Sequence, residues 1–449
     1  MKRHKPGITK IMIIIMFLGL IPPLLSGCWG FQEIDQTGFI LFLGLDRGKE
    51  NKLTWTAQVA LPQQISGGGG GGSGMKSQSG SSSAMHQQGV ATISVESPTF
   101  TGALNMMNIF LDRKLSLKHL KTVVFSEPLA REGVITYLGV MAREPEFRRS
   151  VLIAVCRNVS AKDLLENNIR VLETNPAKYS ELITEFSRYS GYIPAQPQFF
   201  YFYNNSKSND GDPISLLVGL PRPVPQGEGP PVSDEEWVSD GAYYPGQLPR
   251  SGGNTLEILG AAVFQDDRLV GEINGDEMTG LMLIRGTFGQ ANISLADPIF
   301  PKKMIGVNLS LYRKPQIKVD LSGSVPQIQI KIYVEGSLLG MQTTEVNYEE
   351  KANRLVLESA INQRLQTMME TVVYRSQNEF QADILHLGKI AKRQFWTVQE
   401  WEDYNWLNRQ FLKAEITVEV QSRIRLFGLL HEVKPLAREQ NGKDNLNSE

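Results

Sequence analysis

The sequence predicts an α+β protein of several domains, with mixed, mostly antiparallel sheets and packed helices, following a cleaved lipoprotein signal peptide. Three observations carry this reading: strand-like runs come in meanders, long helical faces come late, and no regular β-α repeat connects them. Of the 449 residues, 41% are hydrophobic and 21% charged, a balance suited to packed cores. There are 46 basic and 47 acidic residues, so nothing points to a nucleic-acid partner.

The amino terminus is read first. Lys2, Arg3, Lys5 and Lys10 precede an apolar run from Ile11 to Leu25 that is broken by Pro22-Pro23, the layout of an export signal. A bilayer span takes about 20 apolar residues, and this run is shorter. Leu25, Ser26 and Gly27 form the signal peptidase recognition segment, in which small Ser26 and Gly27 let the backbone enter the peptidase groove in extended form. Cys28 then offers a thiol to a diacylglyceryl donor. The pattern resembles the lipobox of bacterial lipoproteins. Acyl burial contributes about 0.8 kcal/mol per CH₂, and two chains anchor a protein stably where one does not. Cleavage would make Cys28 residue one of a 422-residue mature chain with 42 basic and 47 acidic residues.

Thr37–Leu45 and Leu53–Leu61 read as strands around the turn-rich Asp46–Asn51, a hairpin signal. The segment 66–89 follows, with Gly67–Gly72 unbroken. It lacks the Gly-Lys-Ser/Thr of a phosphate loop and reads as a flexible surface loop. Val90–Val95 reads as a strand, and Thr101–Leu115 as a helix burying Leu104, Met107, Phe110, Leu111 and Leu115. Leu120–Phe125 reads as a strand and Glu127–Arg143 as a helix. Val151–Cys156 is a short apolar run, expected as a buried strand. Its thiol has no disulfide partner if Cys28 is acylated. Ser160 and Asp163 make a variant capping box for a helix burying Leu164, Leu165, Ile169 and Leu172. Pro176 opens another, with Leu182, Ile183 and Phe186 inward.

Phe199–Tyr203 is wholly aromatic. A strand packed on both faces is the favoured reading, a stacking platform for carbohydrate or peptide the other. From Pro221 to Gly253 prolines and glycines block regular structure and mark a boundary. Trp237, Tyr243 and Tyr244 within it are expected to pin the linker to the body. Beyond it, Ile258–Phe264 and Arg268–Ile273 make a hairpin turned at Asp266-Asp267. Ile305–Tyr312, Gln316–Leu321 and Gln327–Val334 alternate like strands with one solvated face. Glu349–Arg375 is a long amphipathic helix with Leu355, Val356, Ile361, Leu365, Met368, Met369 and Val372 on one side. A helical stretch ends near Trp406, and Ala414–Leu426 is a final strand. The expected divisions are a signal peptide at 1–27, an α+β domain at 28–205 and a linker or small middle region at 206–255. A second α+β domain at 256–431 and a polar tail at 432–449 follow.

Constellations for chemistry are absent. His4, His86, His119, His386 and His431 are dispersed, with no metal-ligand spacing. There is no Gly-x-Ser-x-Gly elbow, and the Ser73/Lys76 pair falls in the glycine segment, where no nucleophile could be held. Glu235-Glu236 and Glu349-Glu350 read as solvated faces, and His119 as a hydrogen-bonded structural histidine. No enzyme, cofactor or metal is expected.

Cys28-Trp29, Glu33-Ile34, Gly38 and Gly44-Leu45-Asp46 resemble the start of the Ger(x)C family of spore germination lipoproteins. Lys118–Lys121, Leu129–Gly133 and Arg143–Arg149 are similar to its N-terminal region. Gly260–Phe264, Leu269–Gly271 and Thr279–Leu281 resemble the opening hairpin of its C-terminal region. Ala382–Ile384 with Gly388, Phe395-Trp396 and Trp401 resemble its penultimate helix, and Ile424–Gly428 its last strand. Gly30-Phe31-Gln32 stands where the family usually has Asp-Arg-Arg. The resemblance implies a C subunit of a nutrient germinant receptor, on the outer surface of the spore inner membrane. Its partners would be membrane lipid, through diacylglyceryl-Cys28, and the integral membrane A and B subunits. The rival reading is a lipid-anchored solute-binding protein of a transporter.

Overall fold

The computed structural model describes residues 36–60 except 51, 86–168 except 88, the positions 178, 182 and 185, 189–222, and 237–426 except 344. The signal segment, the glycine segment up to 85, Glu235-Glu236 and the tail from 427 lie outside the described residues. So do Ile169, Leu172, Pro176, Ile183 and Phe186 of the two helices expected after Ser160.

The chain opens with β1 (Thr37–Arg47), β2 (Leu53–Ala60), β3 (His86–Gln87) and β4 (Val90–Glu96). Next come α1 (Phe100–Phe110), β5 (Lys114–Ser116), β6 (Thr122–Ser126), α2 (Glu127–Glu132), α3 (Ile135–Met141) and β7 (Leu152–Cys156). Then follow α4 (Ala161–Glu166), α5 (Phe199–Asn205), β8 (Ile214–Gly219), β9 (Glu257–Gln265) and β10 (Arg268–Ile273). These strands form one sheet in the order β10-β9-β8-β7-β6-β1-β2-β4-β3, with β5 also on β1. Its centre is parallel, β1 to β6 to β7 to β8, and its flanks are antiparallel.

Parallel strands are covered on both faces, so they read as continuous apolar runs. In β6 and β7, Val123, Phe125, Ile153 and Val155 face α1, α2, α3 and α5. Val124, Ala154 and Cys156 face α4. Gly44 of β1 explains the close approach of α4: a Cβ there would meet Leu165 at 3.0 Å and Ala161 at 3.1 Å. Asp46, two residues on, accepts from the backbone N–H groups of Ala161 and Lys162 at 2.8 and 2.9 Å and so caps the same helix. Ser160 caps it as well, accepting from the Asp163 amide at 2.9 Å.

Several expectations are corrected here. The aromatic run is the helix α5, not a strand: Phe199 and Phe202, three apart, are buried, and Phe200 and Tyr201 are exposed. Three-residue spacing of the packed rings outweighs the β preference of aromatics. Helix α1 stops at Phe110, which is exposed, and Leu115 belongs to β5. The helix expected at Glu127–Arg143 is two, α2 and α3, parted at Gly133, whose φ is +118°.

The rest of the chain is α6 (Gly275–Arg285), β11 (Gln290–Ala296), β12 (Met304–Leu311), β13 (Gln316–Asp320) and β14 (Gln327–Met341). It finishes with α7 (Lys351–Asn378), α8 (Gly388–Ala391), α9 (Val398–Tyr404), a π turn at Trp406–Gln410, α10 (Phe411–Lys413) and β15 (Glu415–Leu426). β12 and β13 pair in turn along the same antiparallel partner, Ile305 opposite Met341 and Asp320 opposite Gln327. They are two halves of one long strand interrupted around Pro315, which cannot donate to a ladder. β15 covers the other edge of β14 in parallel.

Buried Ile328, Ile330, Ile332 and Val334 of β14 pack with Leu357, Ile361, Leu365, Met368, Met369 and Val372 of α7. Leu355 and Val356 are exposed and not on that face. Thr279–Leu281 lies in α6, after the hairpin rather than in it. Ala382–Ile384 lies in the turn after α7. The β9–β10 hairpin serves both cores. Ala261, Val263 and Ile273 join the packing beneath α6 and α7, whereas Ala262, Phe264 and Leu269 join the first core. β9 and β10 thus extend the first sheet while their side chains reach both cores.

Candidate functional site

The residues expected to carry the lipid, Leu25, Ser26, Gly27 and Cys28, lie outside the described residues. Of the histidines, His119 sits beside the Phe39 ring edge-on at 4.6 Å. Burial, then Arg148, Lys121 and Lys118, hold its pKa below the usual range. Cys156 is fully buried and free. Its thiol contacts the carbonyls of Val159 and Phe125 at 3.1 and 3.4 Å, and burial pushes its pKa up. Tyr244 lies under the Arg157 guanidinium at 4.9 Å and Trp237 near Arg364 at 5.9 Å. Ser239 donates to Asp276 and accepts from Arg364. The end of the linker is thus pinned to the body by aromatic and ionic contacts.

One polar constellation went unread in the sequence. The segment after α5 crosses to the helical layer behind α7 and is held there residue by residue. Asn205 accepts from Lys389 at 2.8 Å, Asn209 from the Trp401 indole at 2.8 Å, and Asp210 pairs with Lys392 at 3.1 Å. Asp212 accepts from the amides of Asp266 and Asp383 at 3.0 and 2.8 Å, and its own amide donates to the Asp383 carbonyl. The fully buried Asp383 carboxylate accepts from the Trp406 indole and from the amides of Leu387 and Gly388.

His386 sits between these aspartates with φ +59°. Its Nε2 faces the Asp212 carbonyl at 3.1 Å and its Nδ1 the Lys389 ammonium at 3.3 Å. The Arg285 guanidinium lies 3.1 Å from the same Nε2, so that nitrogen faces a donor as well as an acceptor and the ring stands between two cations. Burial, then Arg285 and Lys389, push the His386 pKa well down, which fits a neutral ring. Burial pushes Asp212 up to about 7, against its two amide donors and with help from Asp383. Burial also raises Asp383 and lowers Arg285 to about 10, where it stays cationic.

This arrangement binds chain to chain. Every polar atom named is spent on a neighbour, and the aspartates cap amides rather than face a cavity. Among the described residues no three His, Cys, Asp or Glu side chains gather to hold a metal. The resemblance pointed to Asp383 and Gly388 through Ala382–Ile384. Asp212, Arg285, His386 and Lys389 are far apart in sequence and carry no shared spacing. The Asp-Gly-Asp-Pro turn at 210–213 was the available signal, since Gly211 lets the backbone approach the His386 ring.

The surface has a groove of about 670 Å³ between α3 and α5. Phe147, Phe199 and Phe200 contribute aromatic walls, and Arg143, Arg149 and Lys207 its charge, with no carboxylate in the lining. Among the described residues no helix is long and apolar enough to cross a membrane.

Residues 30–220 match the family model described as the spore germination protein N-terminal domain. Residues 259–428 match that described as spore germination B3/GerAC like, C-terminal. The chain is 25% identical to the putative spore germination protein YfkR of Bacillus subtilis (strain 168), over 80% of this chain and 82% of that one. It is 21% identical to spore germination protein B3 of the same organism, over 94% and 98%. It is also 21% identical to spore germination protein GerQC of Bacillus cereus, over 91% and 97%. The crystal structure of the GerBC protein aligns with a TM-score of 0.48 at 16% identity, over 85% of this chain and 96% of that one. With both halves matched in order along one chain, the protein belongs to the Ger(x)C family of spore germination proteins.

Proposed function

We propose that this chain is the lipid-anchored C subunit of a spore germinant receptor. It supports nutrient-triggered germination through assembly with integral membrane A and B subunits on the outer surface of the spore inner membrane. The observation that carries this reading is the pair of family matches, spanning 30–220 and 259–428 in order. Relatives named as spore germination proteins are matched over nearly their whole length. Cys28 is the attachment point, with Leu25, Ser26 and Gly27 read by the signal peptidase. The body from 28 to 431, with a linker or small middle region at 206–255, is a non-catalytic docking subunit. The buried junction around Asp212 and Asp383 supports this role, because its hydrogen bonds tie the segment after α5 to the helical layer behind α7.

The test is a Cys28→Ala chain expressed in spores. The expected result is loss of the protein from the membrane fraction and a slowed response to nutrients. Normal fractionation with normal germination would overturn the anchoring. Copurification of the native chain from spore membranes with two multi-span proteins tests assembly, and its recovery alone would overturn that part.

A further inference from the structure

The strand directions gather one kind of chemistry at one end of the first sheet. β1, β6 and β7 are parallel, so their amino ends lie together, and β5 lies alongside the start of β1, with Thr37 opposite Lys114. Helix α1 runs back to that end and hands over to β5, tied by Asn108, which accepts from the Leu115 amide at 3.1 Å. The loop 142–150 leads into β7 at the same end. Glu146 fastens it to β5, accepting from the Ser116 hydroxyl at 2.7 Å and the Leu117 amide at 2.9 Å.

The segments 109–121 and 142–150 carry seven Lys or Arg against Asp112, Glu144 and Glu146. Glu146 is committed to β5 and pairs with Lys118 at 3.6 Å. Lys114, Lys118, Arg143, Arg148 and Arg149 are exposed. Beside them Ile109 and Phe110 close α1 with 83% and 59% of their surface in solvent. The opposite end of the sheet differs: there Asp46, Glu96 and Glu132 are engaged with helix amides, loop amides and Arg47.

Thr37 is nine residues beyond Cys28, a tether that reaches about 30 Å at full extension. An exposed apolar pair ringed by cations, on a short leash to a lipid, is complementary to an anionic bilayer surface. We propose that this end of the first sheet is a membrane-docking face. Ile109 and Phe110 enter the headgroup region of anionic phospholipid while Lys114, Arg143, Arg148 and Arg149 lie against its phosphates. The proposal rests on the lipid anchor at Cys28 and adds an orientation to it: the groove between α3 and α5 opens near the bilayer, and the β1–β2 turn points away.

The experiment uses the full lipidated chain in vesicles of phosphatidylcholine, alone or with phosphatidylglycerol. An environment-sensitive dye is placed at Asp112→Cys or, as the far-end control, at Lys49→Cys, with a lipid-borne quencher. Quenching at position 112 but not 49, only with phosphatidylglycerol and reversed by high salt, is the expected result. Each basic residue against an anionic leaflet is worth about fivefold, so Arg148→Glu with Arg149→Glu should weaken docking by about 25-fold or more. Phe110→Ser should lower the quenching without changing its salt dependence. Flotation with both vesicle types but equal quenching at both positions overturns the docking and leaves the anchor standing. A chain that floats with neither removes the anchor, and the docking with it. Unquenched dye, with the arginine reversal instead abolishing copurification of a membrane protein, assigns the face to a protein partner and also overturns it.

Discussion

The two sheets solve the same packing problem differently. In the first, ten of the eleven residues of β1 are buried or half-buried and core lies on both faces. In the second, β14 alternates exposed and buried residues, with α7 on one side and solvent on the other. The first sheet tolerates change on neither face, whereas the second has a free face whose residues can vary without touching a core. The β9–β10 hairpin belongs to the first sheet by hydrogen bonding and to both cores by its side chains.

That shared hairpin gives the sharpest way to test the comparison. Gly260 has φ +66°, and a Cβ there would collide with the Ile273 carbonyl oxygen. Gly260→Ala should therefore cost about 5 kcal/mol, from left-handed strain and backbone displacement together. Calorimetry should show the transitions of both halves falling; a loss confined to one would break the picture of a hairpin shared by both cores. Asp383→Ala comes next, at about 4 kcal/mol, because the Trp406 indole and two amides lose their acceptor in a buried site. Hydrogen exchange should speed up at Leu387 and Gly388 and leave β1 unchanged.

Asp212 gives a smaller effect with a definite sign. Its folded pKa, about 7, is above the ordinary 3.8, so the folded chain holds a proton that the unfolded chain releases between those values. The stability that proton confers is complete below about pH 4 and lost as pH rises through about 7, at up to about 1.4 kcal/mol per pH unit. Asp212→Asn should flatten denaturant midpoints across that window, and an unchanged slope would show that the proton resides elsewhere. The smallest effect is expected on the free face of the second sheet. Lys331 pairs with Glu419 in solvent, and Lys331→Ala should leave the melting midpoint within the scatter of repeat measurements.

The contrast also explains what could be read from sequence. Gln327–Val334 and most of α7 were legible because one wet face imposes a period on the residues. Helix α6 was missed because it is buried all round from Met278 to Ile284, which erases that period. β8, Ile214–Gly219, is likewise a short wholly buried run. The aromatic run at 199–203 carried a composition signal that favoured strand, and only the spacing of the rings that found partners made it a helix. The junction was illegible for another reason: Asp212 and Asp383 are 171 residues apart, and with Arg285 they share no spacing. Gly44 and Asp46 were visible as motif residues, but the helix they receive lies more than 110 residues away.

The pairing of β14 with β15 sets an order in time. Gln327 lies opposite Glu415, so one edge of β14 waits for the whole of α7 and the helical layer behind it to emerge before it is covered. Until then a 15-residue strand presents open backbone groups to any neighbouring chain. A chain truncated anywhere between α7 and β15 should therefore aggregate rather than leave a shorter soluble product.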